Sequence, residues 1–465
     1  MCLAVSGDQL SDDRSLPSSD SADTSDKEIN ILLLGETGVG KSTWINGFAN
    51  YVMYENFEEF ESHDPVCLTA TSFVFTDDIC ESINISTRLT QSEITGESEA
   101  QYPQTYEIRI NGGVVRLIDT PGVGDTRGIE HDENNIKQIL HQIVSIKKLH
   151  GICILLKPDI ARMHIMFEYC LKMIFTSLHR DACRNVVFCF TSCRRTFYMP
   201  EDTLSLLRRL LIEVELKIDL NNENIFCFDN EAMRYIVARK FGIVFHENLR
   251  RVFMASWNNS VMQFDRLLEH FAAIEPHLVE KTLSVNYARQ VLLEGYKPLT
   301  MVAAVIQNNL KIKVMQIRQL EDEERHISMA LSMLSHFLKI SAIAPSNTAT
   351  DKYLELCIAN TSVIETTQRL KQIRQKNIEN KDILSQIRND VDANLKLPTP
   401  SEIYSLIPNL FALEHFGLMI QGSIKMIDCP SLISEEPADI RIIHVPGSKK
   451  NVCQFFKNKH SISSI

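Results

Sequence analysis

The stretch Glu28-Ile29-Asn30-Ile31-Leu32-Leu33-Leu34-Gly35-Glu36-Thr37-Gly38-Val39-Gly40-Lys41-Ser42 decides the fold. Ile29 to Leu34 is an apolar run of strand length that stops at a glycine-rich turn, and Lys41 to Val52 then reads as a helix. Gly35 to Ser42 has the order GxxxxGKS in the context that gives the motif its meaning, after a strand and at the start of a helix. The glycines let backbone N–H groups wrap phosphate oxygens, and the helix N-terminus adds positive potential. Lys41 would bridge the β- and γ-phosphates. Ser42 would place its hydroxyl on Mg²⁺. Gly35, Glu36, Thr37, Gly38, Val39, Gly40, Lys41, Ser42 and Thr43 are therefore the candidate phosphate-contacting residues.

Further along, Thr105 to Ile110 alternates, Asn111-Gly112-Gly113 makes a turn, and Val114 to Ile118 forms the second arm of a hairpin. That arm ends in Asp119-Thr120-Pro121-Gly122, a DxxG arrangement. An acid at the strand tip can hold a Mg²⁺-bound water, and the Gly122 N–H can report the γ-phosphate. Gly151–Leu156, Asn185–Phe190 and Asn224–Phe228 read as buried strands, and helical patterns lie near 132–147, 163–179, 202–217 and 230–256. This alternation predicts an α/β P-loop NTPase domain, a G domain whose sheet is mostly parallel with one antiparallel edge strand.

The chain's 465 residues exceed what one core usually serves, so a second region is expected. Residues 1–26 are rich in Ser and Asp and read as a disordered lead-in, and residues 27–275 as the G domain. From 276 to 395 the strands stop. Helical stretches around 284–342 and 351–394, broken near Ala344-Pro345-Ser346-Asn347, predict an all-α extension. Ile364, Leu370, Ile373, Ile378, Ile383, Ile387 and Val391 do not keep a 3.5-residue seam, so a helical hairpin fits better than a free coiled coil. Residues 396–465 carry a weak pattern and receive no assignment.

GETGVGKST together with RLIDTPGVGDTRG resembles the septin-like GTPases that include the immunity-associated, avirulence-induced type of GTP-binding protein and their invertebrate relatives. The resemblance spans about residues 27–275, roughly half the chain. It implies a domain that binds GTP or GDP with Mg²⁺, hydrolyses weakly alone, and self-associates across the nucleotide face.

Base reading departs from the common pattern. The strand Asn185–Phe190 leads into Thr191-Ser192-Cys193-Arg194, where many GTPases have Asn/Thr-Lys-x-Asp, and Arg194 is a donor where an acceptor for guanine is needed. Phe228-Asp229-Asn230-Glu231 resembles the Asn-Asn element that immunity-associated GTPases set beside the base. Asp229 can supply the acceptor, Asn230 can read the ring edge, or the two can cap the helix from Glu231. By resemblance to relatives with a Ser-x-Thr-Gln stretch, the switch-I segment is Ser98-Glu99-Ala100-Gln101, with Ala100 where Thr is expected and Ser98 or Thr95 as substitutes. Val123 follows the DxxG glycine in place of a water-positioning Gln. Arg127 is the candidate arginine finger in trans, or else an exposed switch-loop charge.

A net charge of −11 disfavours a nucleic-acid partner. No apolar run reaches bilayer length, and Cys2 excludes the glycine that myristoylation requires, so a cytoplasmic location is expected. The 12 cysteines form no CxxC pair and read as reduced core thiols, Cys153, Cys189 and Cys227 among them; the spacing of Cys183, Cys189 and Cys193 matches no zinc knuckle. The expected partners are guanine nucleotide, a second copy and a protein bound by the helical region. The expected function is a switch or assembly module with slow, dimer-dependent GTP hydrolysis. The alternatives are a degenerate nucleotide-binding scaffold without turnover, and an ATPase, whose usual acid after four apolar residues is met only by the DxxG strand.

Overall fold

The computed structural model describes residues 28–70, 72–76, 82–87, 103–110, 113–122, 129–159, 165–216, 218–310, 317–344, 347, 349–360, 364–389, 397–424 and 440–444. The disordered lead-in expected over 1–26 lies outside them. In chain order the first elements are β1 (Glu28–Gly35), α1 (Lys41–Met53), α2 (Phe57–Ser62), β2 (Ser72–Thr76), β3 (Ser82–Ser86), β4 (Gln104–Ile110) and β5 (Gly113–Asp119). Next come α3 (Ile129–Val144), β6 (Lys148–Leu149), β7 (Gly151–Leu156), α4 (Ile165–Ser177), β8 (Val186–Phe190), α5 (Glu201–Glu213), β9 (Ile225–Cys227), α6 (Glu231–Lys240), α7 (Glu247–Ala273) and β10 (His277–Leu278). The remainder is α8 (Val279–Leu310), α9 (Ile317–Ser341), α10 (Thr350–Asn360), α11 (Ile364–Asn389), α12 (Pro400–Phe411), α13 (Gly417–Ser423) and β11 (Ile440–His444).

Seven strands form the main sheet in the order β11-β4-β5-β1-β7-β8-β9. β1 runs parallel to both β5 and β7, and β7, β8 and β9 continue in parallel; β4 and β5 are the antiparallel pair expected from the hairpin pattern. β4 is not the last strand. β11, from the tail that carried no assignment, pairs with its outer edge in parallel register, Ile440 opposite Thr105 and His444 opposite Arg109.

The apolar runs are continuous because both faces of the sheet are covered. Ile29, Ile31 and Leu33 of β1 face a core with Trp44 and Phe48 of α1 and Trp257 and Phe264 of α7. Leu32 and Leu34 face the opposite core, with Ile139 and Ile143 of α3, Phe175 of α4 and Leu207 and Leu210 of α5. The span 230–256, read as one helical pattern, is two helices. Their boundary is a C-terminal cap in which Gly242 N–H donates to Arg239 O at 2.9 Å and Ile243 N–H to Ala238 O at 3.2 Å. Cys153, Cys189 and Cys227 are buried free thiols.

The stretch around 284–342 likewise contains two helices, α8 and α9, which pack on each other with α12. Val291, Leu299 and Ile306 meet Ile327, Leu334 and Phe337, and Ile403 and Ile407 close the cluster. α12 begins with a full capping box, Thr399 Oγ1 accepting from the Glu402 N–H at 3.3 Å and Glu402 Oε2 from the Thr399 N–H at 2.6 Å. The helical region is seated on the α/β layers: β10 pairs with β6, Ile343 N–H donates to Leu178 O at 3.2 Å, and the rings of Tyr169 and Tyr353 stack at 4.4 Å. Among the described residues no helix is long and apolar enough to cross a membrane.

Candidate functional site

β1 delivers the chain to Gly35 in the middle of the sheet, and the loop Glu36–Gly40 turns it into α1. Gly40 is the N-cap at φ 102°, ψ 24°, a left-handed conformation that side chains disfavour. No side chain caps α1 and its first turn holds no acid. Its N–H groups and dipole are thus left to attract an anion. Lys41 is buried, and its Nζ donates to Gly35 O at 3.1 Å and Glu36 O at 3.2 Å, folding back over the loop. Thr191, at the end of β8, supports the loop from below, donating from Oγ1 to Val39 O at 2.6 Å. Thr37 and Gly38 are exposed at the crest, Val39 is buried beneath, and Ser42 and Thr43 are half-buried on the first turn of α1.

The neighbouring strand tip brings in Asp119 and Gly122. Thr120 fixes the tip, donating from Oγ1 to Leu33 O of β1 at 2.7 Å. Asp119 is 3% exposed, and its Oδ1 has no hydrogen-bond partner. Burial pushes its pKa up to about 6, against the opposing pull of the Lys41 charge and the Thr120 N–H. Gly122 lies directly on the phosphate loop: a Cβ placed on it would stand 2.2 Å from Thr37 Oγ1 and 2.7 Å from the Thr37 N and Cα. Asn135 of α3 holds Gly122 from outside, its Nδ2 donating to Gly122 O at 3.4 Å. Two motifs 78 residues apart between Lys41 and Asp119 thus form one cradle, because β1 and β5 are adjacent and parallel and end on the same side of the sheet.

This donor set fits a divalent cation with a polyphosphate. A buried carboxylate oxygen without a protein partner is costly unless something meets it. Asp119 would supply that oxygen as a hard ligand or water acceptor, and Ser42 would supply a hydroxyl from the first turn of α1.

On the far side of Thr191 the chain makes a 3-10 turn over Cys193–Thr196, and β9 ends beside it, Cys193 N–H donating to Phe228 O at 3.0 Å. The two segments read as base-contacting in the sequence are therefore neighbours. Arg194 ion-pairs with Glu231, lies 4.0 Å from Asp229 Oδ2, and covers the Phe253 ring at 5.7 Å. Asp229 is anchored by α7: its N–H donates to Ser260 Oγ at 3.0 Å, and Ser256 Oγ donates to its Oδ2 at 3.0 Å. Its Oδ1 is buried and unpartnered. Burial raises its pKa and the Glu231 charge raises it further, against the Ser256 hydrogen bond and Arg194. Asn230 sits at the N-cap of α6, yet its side chain makes no capping bond. Its Oδ1 instead accepts from Tyr51 OH of α1 at 2.6 Å.

The structure brings together residues 35–43, Asp119 and Gly122 at one end and Asp229, Asn230 and Arg194 at the other. Thr95, Ser98, Ala100, Val123 and Arg127 lie outside the described residues. Sequence reasoning missed three contributors. Thr191 is visible only as the first residue of a degenerate motif; Tyr51 and Asn46 look like ordinary helix positions. Asn46 is fully buried, its Oδ1 accepting from the N–H groups of Leu68 at 2.8 Å and Thr69 at 3.0 Å, while Thr69 Oγ1 donates to Ser42 O at 3.1 Å.

No family model matches the chain, and no curated protein does. Among solved structures it is similar to Toc33 from Arabidopsis thaliana in complex with GDP and Mg²⁺, with 14% identity, a TM-score of 0.28, and coverage of 44% of this chain and 71% of that one. It is also similar to the septin GTPase domain from Chlamydomonas reinhardtii, with 16% identity, a TM-score of 0.22, and 48% and 71% coverage. A third is the G domain of the T. maritima FeoB iron transporter, with 11% identity, a TM-score of 0.21, and 46% and 98% coverage. These neighbours are GTPase G domains at low identity. At such overlap they decide nothing about the site, whose chemistry rests on its own residues.

Proposed function

We propose that the chain binds a guanine nucleotide with Mg²⁺ through residues 35–43, Asp119 and Gly122, and hydrolyses GTP slowly, assisted by a second copy across the nucleotide face. The observation that carries the reading is the seating of Gly122 on Thr37 beside buried Asp119 and Lys41. A loop of N–H groups, a lysine and an unpartnered carboxylate oxygen converge where a strand tip can sense the outermost phosphate. Lys41 exchanges its two carbonyl partners for phosphate oxygens. The Gly122 N–H binds the γ-phosphate and is released on its loss. Asp119 and Ser42 would hold Mg²⁺, which would supply charge neutralisation.

For the base, Asp229 is the acceptor that Arg194 is not. Its Oδ1 is the unused valence at this end of the site, and Ser256 and Ser260 fix its backbone and the other carboxylate oxygen. Slow turnover rests on the sequence: Ala100 lacks the switch hydroxyl and Val123 cannot orient water. Arg127 from the second copy offsets part of that deficit. A scaffold that binds without turnover is the second reading, favoured by the engagement of Arg194 with Glu231 and Asp229 where a free acid would stand.

The test is the nucleotide carried by purified protein, read by ion-pairing chromatography, followed by GTP hydrolysis against protein concentration. Guanine nucleotide and a rate per molecule that climbs with concentration, flattened by Arg127→Ala, are expected. Adenine nucleotide would overturn the base assignment. Binding without hydrolysis at every concentration leaves the scaffold.

A further inference from the structure

We infer that the tail strand β11 is a strap whose docking on the sheet edge and nucleotide occupancy of the P loop stabilise each other. The inference rests on the nucleotide-binding reading given above, and it concerns a part of the chain far from the motifs in sequence. β11 adds five residues to β4 in parallel register, from Ile440 opposite Thr105 to His444 opposite Arg109. A sheet edge left bare presents unpaired N–H and C=O groups, so β4 has a standing demand for such a strand.

One face of β11 stays open to solvent. Ile440 is 37% exposed and Ile442 47%, so these two isoleucines bury only part of their apolar surface. A short edge strand with one face exposed belongs to the low-stability end of a structure and opens locally.

What distinguishes β11 from a passive edge cover is Arg441. Its Nη1 donates to Leu68 O at 3.1 Å, across 373 residues of sequence. The Leu68 N–H in turn donates to Asn46 Oδ1 at 2.8 Å, and the next residue, Thr69, reaches Ser42 O through its hydroxyl at 3.1 Å. Asn46 Nδ2 donates to Thr69 O at 2.9 Å, and Asn50 clamps Val66 in the same two-way fashion, at 2.9 Å and 2.8 Å. Residues 66–69 are therefore gripped by two buried asparagines of the P-loop helix on one side and by the tail's arginine on the other. The grip ends on Ser42, the residue assigned to the metal.

The consequence is a coupling with a definite sign. The docked strap orders residues 66–69 and, through them, the first two turns of α1, whose N-terminus must be ordered for phosphate binding. A ligand that meets an already ordered site loses less conformational entropy on binding. By linkage the effect is reciprocal: bound nucleotide must hold the strap more firmly on β4.

Hydrogen exchange of the full chain, with and without GDP and Mg²⁺, tests one direction. Exchange at residues 440–444 and along β4 should slow in the presence of nucleotide, beyond any slowing at the exposed helix α11. The other direction is read by GDP titration of Arg441→Ala and of Ile442→Pro, which places a proline within the added strand at an exposed residue. Both variants should bind GDP about 5-fold or more weakly, the lower end of ordinary allosteric coupling. Circular dichroism and thermal melting show whether each variant folds. Folded variants with wild-type affinity, together with unchanged exchange at 440–444, would overturn the strap while leaving the nucleotide site standing. Absence of nucleotide binding by the wild-type chain would instead remove the nucleotide reading, and the strap with it.

Discussion

At the end proposed for the phosphates, consecutive residues Gly35 to Ser42 would supply most of the chemistry, joined by Asp119 and Gly122 from β5 and its tip and by Thr191 beneath the loop. At the end proposed for the base the residues come from four places: Arg194 follows β8, Asp229 and Asn230 follow β9, Tyr51 comes from α1, and Ser256 and Ser260 from α7. The difference follows from what each end must recognise. A phosphate is met by backbone N–H groups, which any chain has, so a loop of glycines before a helix is enough. A base edge is planar and asymmetric, and must be met by side-chain acceptors and donors set at fixed places, which a tertiary framework has to hold. The phosphate end should therefore fail all at once when one residue is altered, and the base end by degrees.

Lys41→Ala should have the largest effect. It removes a charge-assisted contact to the phosphates together with its hydrogen bonds to the Gly35 and Glu36 carbonyls, and little apolar packing. Nucleotide affinity should fall by about 3 kcal/mol or more, with the thermal unfolding midpoint of the nucleotide-free protein little changed. Calorimetric titration decides, and retained affinity would remove the loop from the site.

Gly122→Ala comes next. The added methyl would meet the Thr37 backbone at 2.7 Å as well as its hydroxyl, so a rotamer change cannot relieve the clash. Displacing the loop should weaken triphosphate binding toward the upper end of the roughly 1–3 kcal/mol that overpacking costs, and diphosphate binding less. Equal loss for GTP and GDP would place Gly122 in loop packing only.

Asp229→Ala should weaken GTP by about 1–3 kcal/mol and leave ATP nearly unchanged, since guanine offers N1–H and N2–H side by side to one carboxylate, whereas adenine's N1 is an acceptor. The wild-type GTP-to-ATP affinity ratio also carries a pH signature. The folded-state pKa of Asp229 is raised from 3.8, so the accepting carboxylate is present above that raised value and is lost as pH falls through it. The ratio should fall with acidification, at a higher pH than an unshifted aspartate would give, and the variant's ratio should be flat. Taking the ratio cancels any contribution from Asp119, which both nucleotides share.

Tyr51→Phe should be the mildest for binding. Asn230 Oδ1 loses its donor in a buried place, so the fold should lose about 1–3 kcal/mol by chemical denaturation. GTP affinity should change less than in Asp229→Ala. A larger change in affinity than that variant's would make Asn230, not Asp229, the base reader.

Legibility tracked the same divide. GxxxxGKS and DTPG were readable because each is short, local and bound to a strand tip, and the apolar runs of β1, β7 and β8 were readable because burial on both faces leaves no polar alternation. The hairpin β4–β5 announced itself through alternation and Asn-Gly-Gly. Three things were not readable. β11 looks like one more short polar-flanked run, since its pairing partner is more than 300 residues away and its own outward face is exposed. The division of 284–342 into α8 and α9 is a packing outcome, stabilised by mutual burial of Leu299, Ile306, Ile327 and Leu334. The capping reading of Asn230 was reasonable by residue type, but a tyrosine one helix away claims the oxygen first.

The sequence by itself determined that residues 28–122 hold a strand, a phosphate loop, a helix and an acid-tipped second strand, because these are set by local periodicity and by glycine and lysine at fixed spacing. Only the tertiary structure decided that Gly122 lies on Thr37, that Arg194 turns to Asp229 and Glu231, and that the tail completes the sheet with Arg441 on Leu68. The physical reason is the range of the forces involved. A turn or a helix start is fixed by the torsional freedom and hydrogen bonds of a few adjacent residues, whereas a contact across 373 residues exists only after burial of both faces of the sheet has brought its partners within reach.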